Sequence, residues 1–341
     1  MDTSDKVELP SPAEGLALIQ KLETLRKSRV ITLFAYPNVF MRNDIPMQIY
    51  LQLRQIGRTE RIDLFLNSTG GLTEVPWRII TLIRNFCEHF GVLIPYTAHS
   101  AATHLAMGAD EIVMGDMSEL SPVDPSQAHA LGPKDGEKVI LVSVQEVRHL
   151  FQLITQEGKY SPESLGTIYS ALFDKVHPLT LGAIERSYEL ARLISKNALS
   201  THLDSEKDAE RIEKLVDAFS GKFYSHRYPI GWKEAKEAGL DVTYVKDELW
   251  ETMWELFNFY NAFAPVGRPI SQRPVRVAKP IVWIDSAQER RILQEVYEMQ
   301  LDKKTGIAEG EPLDAKWLGT PWNETTEEEA YTEMVATTEE N

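Results

Sequence analysis

Leu64-Phe65-Leu66-Asn67-Ser68-Thr69-Gly70-Gly71 runs from an apolar stretch into a double glycine. About 30 residues later, Pro95-Tyr96-Thr97-Ala98-His99-Ser100-Ala101-Ala102-Thr103 runs from a second apolar stretch into a serine. Ile62 to Leu66 and Val92 to Ala98 read as strands, and Glu74 to His89 between them, with Val75, Ile79, Leu82, Ile83 and Phe86 on one face, reads as the crossover helix. A short helix from Ser100 and a strand from Glu111 to Met114 follow. Repeated strand-then-helix units predict an α/β fold: a parallel sheet with helices on both faces and ligands at the carboxyl ends of the strands. Both turns sit at such ends. One presents bare backbone amides and the other a hydroxyl at a helix start, which together are the requirements of acyl transfer: a nucleophile, and donors for the oxyanion.

Outward from this centre, Ser11-Pro12-Ala13-Glu14 is a capping box opening a helix towards Arg29. Val30 to Ala35 is a strand, and Asp44 caps a helix ending near Gly57. After Val139 the pattern is mainly helical, with helices over Val144 to Gln156, Pro162 to Lys175, Pro178 to Asn197 and Ser205 to Phe219. Gly158-Lys159-Tyr160-Ser161 and His177-Pro178 mark loops between them. A helix from Glu248 to Ala264 carries Trp250, Trp254, Phe257 and Phe263, a stripe that suits a core or a subunit interface better than a cofactor. A strand from Val275 to Ile284 and an amphipathic helix from Ala287 to Met299 complete the pattern.

The composition is that of a globular protein: 43% hydrophobic and 26% charged over 341 residues. No secretory signal and no membrane-length apolar stretch is visible, and Cys87, the single cysteine, excludes an intrachain disulfide and reads as a buried helix residue in a reducing compartment. The expected location is cytoplasmic. Of the net charge of −15, the segment from Glu309 onward supplies −9, with ten acids against Lys316. The remainder has no basic face, which argues against nucleic acid as a partner. The acidic end reads as solvated and disordered; its functional alternative is a segment that docks on a partner through Trp317 and Trp322. Histidine and carboxylate spacing gives no metal site, and no cofactor motif is found.

Leu64 to Gly71 resembles the glycine-rich oxyanion turn of the Clp-protease and signal-peptide-peptidase superfamily, which shares the crotonase fold. Ala98-His99-Ser100-Ala101-Ala102-Thr103, Gly108-Ala109-Asp110-Glu111-Ile112-Val113-Met114-Gly115 and Leu120-Ser121-Pro122-Val123-Asp124-Pro125 are similar to one branch, the serine dehydrogenase proteinase family. Tyr224-Ser225-His226 and Lys233-Glu234-Ala235 through Gly239-Leu240 also fit it, so the resemblance covers about Val30 to Val242. It implies a crotonase/ClpP-like parallel sheet with flanking helices and a helical C-terminal part. The expected organisation is an N-terminal helical segment (1–29), a ClpP/crotonase-like peptidase domain (30–245), a C-terminal helical and strand extension for which an oligomer contact is one reading (246–304), and the acidic, disordered tail (305–341). The implied protein is a homo-oligomeric serine peptidase acting on peptides or unfolded protein.

The resemblance makes Ser100 the nucleophile, and the amides of Gly71 and Ala101 the oxyanion hole. The bland readings are an N-cap serine and a tight glycine turn. The general base is less plain. Clp proteases carry a histidine before a proline after the nucleophile, which Pro122-Val123-Asp124-Pro125 lacks, and signal peptide peptidases use a lysine ahead of a long helix. That position corresponds to the Asp174 to His177 region, making Lys175 and His177 the candidates; His177 is favoured because an ordinary histidine ionises near neutrality. The branch's own lysine falls at Arg186, which cannot act as a base, and Ala102 replaces a preferred glycine. His104, four residues past Ser100, reads as a packed core histidine, and His99 points away along its strand. The alternatives are a catalytically silent scaffold, supported by Arg186 and Ala102, and a crotonase-type acyl-coenzyme A enzyme that keeps the two-amide hole without needing Ser100.

Overall fold

The computed structural model describes residues 9–124, 126–127, 131, 134–136, 138–139, 142–157, 160–223, 225–263, 275–301 and 308–322. Pro125, Gly158, Lys159, Tyr224 and residues 323–341 of the acidic end therefore lie outside the described residues.

Five parallel strands form the centre of the sheet: β1 (Arg29–Ala35), β2 (Thr59–Asn67), β3 (Cys87–Ile94) and β5 (Glu111–Met114), which the sequence predicts, and β8 (Val242–Tyr244), which it does not. Two short strands, β4 (Thr97–Ala98) and β6 (Glu119–Leu120), join β7 (Ile230–Gly231) in a separate three-stranded sheet in the order β7-β6-β4. The main sheet continues past β1 with three antiparallel strands, β9 (Val275–Trp283), β10 (Arg290–Leu301) and β11 (Ala308–Thr320), giving the order β8-β5-β3-β2-β1-β9-β10-β11.

Alternation along each strand divides the side chains between two cores. Ile31, Leu64, Leu66, Val92, Ile94 and Leu293 face one, while Val30, Phe65, Leu93, Val113, Trp283 and Ile292 face the other. The first is covered by α2 (Ile45–Ile56), α3 (Val75–Arg84), α4 (Ala101–Met107) and α8 (Ala209–Asp217). The second is covered by α1 (Pro12–Arg26) and α10 (Glu248–Ala262). α1 starts in the expected capping box, with Glu14 reaching back to the Ser11 amide at 3.2 Å. Asp44 precedes α2, but its carboxylate serves Arg42 and the Trp317 indole and does not cap the helix. In α10, Trp254 stacks on Phe257 with ring centroids 5.0 Å apart, so the aromatic stripe packs in the second core.

Three local readings are corrected. The crossover helix α3 ends at Arg84, ten residues long, and β3 begins at Cys87, so Cys87 is a strand residue; burial pushes its thiol up to about 11. The stretch expected as a helix from Ala287 is β10. Ile292 and Leu293 are buried on opposite faces, a two-sided burial that a helical stripe cannot supply, and the pairs Trp283↔Ile292 and Leu293↔Trp317 fix its register. Ala308–Thr320, expected within the solvated acidic end, is a strand. Trp317 donates to Asp44 Oδ2 at 3.0 Å and Trp322 to Ser286 O at 2.7 Å, so the two tryptophans anchor this segment on its own chain.

The helical insertion comprises α5 (Val144–Gln152), α6 (Pro162–Phe173) and α7 (Pro178–Leu199), close to the expected bounds, and α9 (Trp232–Ala238) precedes β8. Among the described residues no helix is long and apolar enough to cross a membrane.

Beside the sheet, Arg26 bridges buried Asp63 at 2.9 Å and Glu111 at 2.6 Å, and Arg61 reaches the same two carboxylates. Burial alone would raise the Glu111 pKa, but hydrogen bonds from Arg26, Thr243 and Arg61 lower it to about 2 from 4.5. A carboxylate depressed on folding stabilises above its unfolded pKa and loses that contribution as pH falls through the folded one. Glu111→Gln is therefore expected to lower stability in urea unfolding at pH 7 by about 1–3 kcal/mol, with the gap to wild type closing between pH 4.5 and pH 2.

Candidate active site

β2 and the β3–β4 segment deliver their following turns to one place because the two are hydrogen-bonded together. Ser68 donates its amide to Thr97 O at 2.9 Å, His99 donates to Ser68 O at 3.0 Å, and Asn67 Oδ1 accepts from the Thr97 amide at 3.2 Å. The glycine turn is then pressed against both neighbours. A Cβ on Gly70, whose φ is +94°, would lie 2.7 Å from His99 O and 2.9 Å from the Ser100 Cβ. One on Gly71 would lie 2.2 Å from the Met41 amide nitrogen. Met41 donates to Gly70 O at 2.7 Å and accepts from Leu72 at 3.0 Å, which fixes the turn from its far side.

Ser100 has φ +52° and ψ −118°, outside the regions that residues with a side chain ordinarily occupy. Such strain costs about 1–3 kcal/mol and needs support from its surroundings. Here the Ser100 amide donates to Ser121 Oγ at 2.7 Å, and Thr103 Oγ1 lies 2.8 Å from Ala98 O and 2.9 Å from Ser121 O. Although Ser100 occupies the N-cap position of α4, its hydroxyl makes no capping bond. The surrounding amides are used as follows: Gly70 to Ser68 Oγ, Ala102 to His99 O, Thr103 to Ser100 O and Leu72 to Met41 O. Among the described residues, the amides of Gly71 and Ala101 have no acceptor. The structure thus brings Ser100, Gly71 and Ala101 together at the carboxyl ends of the strands.

It does not bring Lys175 or His177 there. Both are exposed ahead of α7, and His177 caps that helix, its Nδ1 accepting from the Leu179 amide at 3.2 Å. α4 and α7 lie side by side and run the same way: His104 Nδ1 is 3.1 Å from Ser195 Oγ, and Thr201 Oγ1 is 3.2 Å from Gly108 O. Carried back along both helices, these contacts set Ser100 level with α7 near residues 191–193, and at about 1.5 Å per residue His177 stands roughly 21–24 Å away along the helix. Arg186 is exposed on α7, and Ala102 is fully buried. His104 is a core histidine, 1% exposed and pushed down to about 3 by burial.

The histidines on the other side of the turn are more informative. His99 Nε2 lies 3.0 Å from Glu119 Oε1 without hydrogen-bond alignment; burial and then the nearby charge of His226 push His99 down to about 4. His226 itself pairs with Asp124, Nδ1 to Oδ1 at 2.9 Å, with the Asp124 side chain 5% exposed. This pair was not singled out by the sequence reading. The signal is tertiary: 102 residues separate the two, and only the pairing of β6 with β7 places them together. Among the described residues no three His, Cys, Asp or Glu side chains converge as a metal site.

With this geometry established, comparison with known proteins places residues 13–134 in a match to the family described as ClpP-like SDH-type serine proteinase, in agreement with the resemblance read from the sequence. Two uncharacterized proteins of Methanocaldococcus jannaschii are similar over most of the chain. MJ0137 is 25% identical over 253 residues, 71% of this chain and 78% of its own length; MJ1495 is 23% identical over 237 residues, 67% and 70% respectively. Among solved structures, the 1510-N membrane-bound stomatin-specific protease aligns with TM-score 0.35 and 12% identity, covering 67% of this chain and 81% of that one. ClpP1 from Listeria monocytogenes aligns with TM-score 0.34 and 14% identity, covering 67% and 98%.

The contact of Gly70 with the serine turn yields a direct test. Gly70→Ala adds a methyl group in a left-handed backbone conformation and against His99 O, so a stability loss of about 2 kcal/mol or more is expected in denaturant unfolding. A loss below 0.5 kcal/mol would show that the two turns are not packed as described.

Proposed function

We propose that this chain is a serine peptidase that cleaves peptide bonds through an acyl-enzyme on Ser100, with the amides of Gly71 and Ala101 as its oxyanion hole. The observation that carries the reading is the left-handed backbone of Ser100, directly against a glycine turn, with a hydroxyl that caps nothing. A serine that merely started a helix would take extended backbone and accept an amide hydrogen. This one gives up both, which is the pattern of strain kept at a working residue. The two unused amides supply what a tetrahedral intermediate requires, fixed donors at the place where negative charge develops. Phe40 and Leu72 flank the Met41 to Gly71 contact as exposed apolar side chains, a surface suited to apolar residues of an extended peptide.

The family match over residues 13–134 supports the peptidase class, and both turns lie within it. Assembly into a homo-oligomer and a cytoplasmic location belong to the same proposal.

Ser100→Ala is expected to leave the unfolding midpoint near that of wild type while abolishing peptide hydrolysis and labelling by a fluorophosphonate probe. Turnover at the wild-type rate would exclude Ser100. Gly71→Val, whose side chain would collide with Met41 and disturb the hole, is expected to reduce kcat by about 10²–10³-fold with a smaller effect on KM. Full activity in that variant would remove Gly71 from the site.

A further inference from the structure

We infer that His226, held by Asp124, is the general base that activates Ser100. This rests on the acyl-enzyme reading above and supplies the part of it that neither Lys175 nor His177 is placed to supply.

The three-stranded sheet sets the geometry. β6 is its central strand: Ala98↔Leu120 pairs it in parallel with β4, and Ile230↔Leu120 pairs it antiparallel with β7. Two residues beyond Ala98 is Ser100, bound to Ser121 through its amide. Four residues beyond Leu120 is Asp124, and four residues back from Ile230 is His226, so the antiparallel register itself sets those two opposite each other. Ser100 and His226 therefore leave the same end of the small sheet from the strands on either side of β6. Across the small sheet the two strands are two spacings apart, roughly 10 Å, and along it His226 stands about two residues, roughly 7 Å, further from the Ala98–Leu120–Ile230 row than Ser100. The charge of His226 is felt at His99, the residue before Ser100.

The chemistry of the pair fits the task. A carboxylate only accepts, so His226 Nδ1–H donates to Asp124 Oδ1, and the lone pair of the neutral ring is on Nε2. That is the tautomer a base needs. His226 is 37% exposed whereas Asp124 is buried, so the ring is open to a substrate while its orienting partner is not. In the reaction, Nε2 takes the Ser100 Oγ proton as Oγ bonds to the substrate carbonyl carbon, and the oxyanion forms towards Gly71 and Ala101. The imidazolium then gives that proton to the leaving nitrogen as the C–N bond breaks. Water adds to the acyl-enzyme, its proton passing through Nε2 to Ser100 Oγ as the ester bond breaks. The net change is one amide and one water to one acid and one amine.

The test follows inactivation of the full-length chain by a fluorophosphonate, with the modified residue located by mass spectrometry. His226→Gln is expected to lower the maximal labelling rate of Ser100 by about 10²–10⁴-fold with little change in the probe concentration for half-maximal rate. His177→Ala and Lys175→Ala are expected to label as wild type. Asp124, a positioning residue, is tested by rescue: Asp124→Asn slows labelling and Asp124→Glu recovers part of it. In His226→Gly, added imidazole is expected to accelerate labelling of Ser100, a response that loss of a merely structural histidine does not give. Wild-type labelling rates in His226→Gln, or no imidazole response in a folded His226→Gly, overturn the assignment while leaving the Ser100 reading intact. No labelling of Ser100 in the wild-type protein overturns both.

Discussion

Burial of the central sheet on both faces is the constraint from which the rest follows. Val30 and Ile31, Phe65 and Leu66, Leu93 and Ile94 face opposite cores as consecutive pairs, so the strand interiors have almost no room for polar chemistry. Buried exceptions such as Asp63 sit in charge networks with Arg26 and Arg61. Free hydroxyls and unused amides are left to the points where the chain turns out of the sheet. The carboxyl ends of β2 and β4 are two such points, and their mutual hydrogen bonds make them one.

At that junction the fold spends stability on a single backbone conformation. Ser100 is strained, and the groups that hold it are local and specific: the Ser121 hydroxyl under its amide, Thr103 between Ala98 and Ser121, and Gly70 close against its Cβ. An alanine or larger residue at position 70 would occupy the space that Ser100 uses. The double glycine and the serine are thus one structural unit, although each turn has an innocent explanation when taken alone.

How much of this was legible in the sequence depended on whether the cause was local. β1, β2, β5 and the capping box at Ser11 follow from period and cap chemistry within short windows, and they are present within a few residues of their expected bounds. Ala287 to Met299 misled because Ile292, Val296 and Met299 recur at helical spacing, while the real determinant is pairing with strands on both sides. The acidic count from Glu309 onward concealed a strand anchored by Trp317 and Trp322, since net charge says nothing of two indoles docking on Asp44 and Ser286. The meeting of Ser100 and Ala101 with the Gly70-Gly71 turn was legible because turn chemistry is written in adjacent residues. The Asp124 to His226 pair was not, because its two members meet only through the register of β6 with β7.

The same distinction bears on the residues sought by family position, Lys175 and His177, which stand exposed at the start of α7. Alignment by analogy asks which residue stands where a relative keeps its lysine or histidine, but proton transfer asks which ring lies within reach of the hydroxyl. α7 lies against α4 at His104 and Ser195, well along its length, so its first turn is carried away from Ser100 by the straightness of the helix itself. A three-stranded sheet has the opposite property. Its flanking strands remain two spacings apart however far apart they are in sequence, so β4 and β7 hold their following and preceding loops in register. In a chain without a histidine after the serine turn, β6 sets His226, which precedes β7, at the same end of the small sheet as Ser100 without any change of the fold.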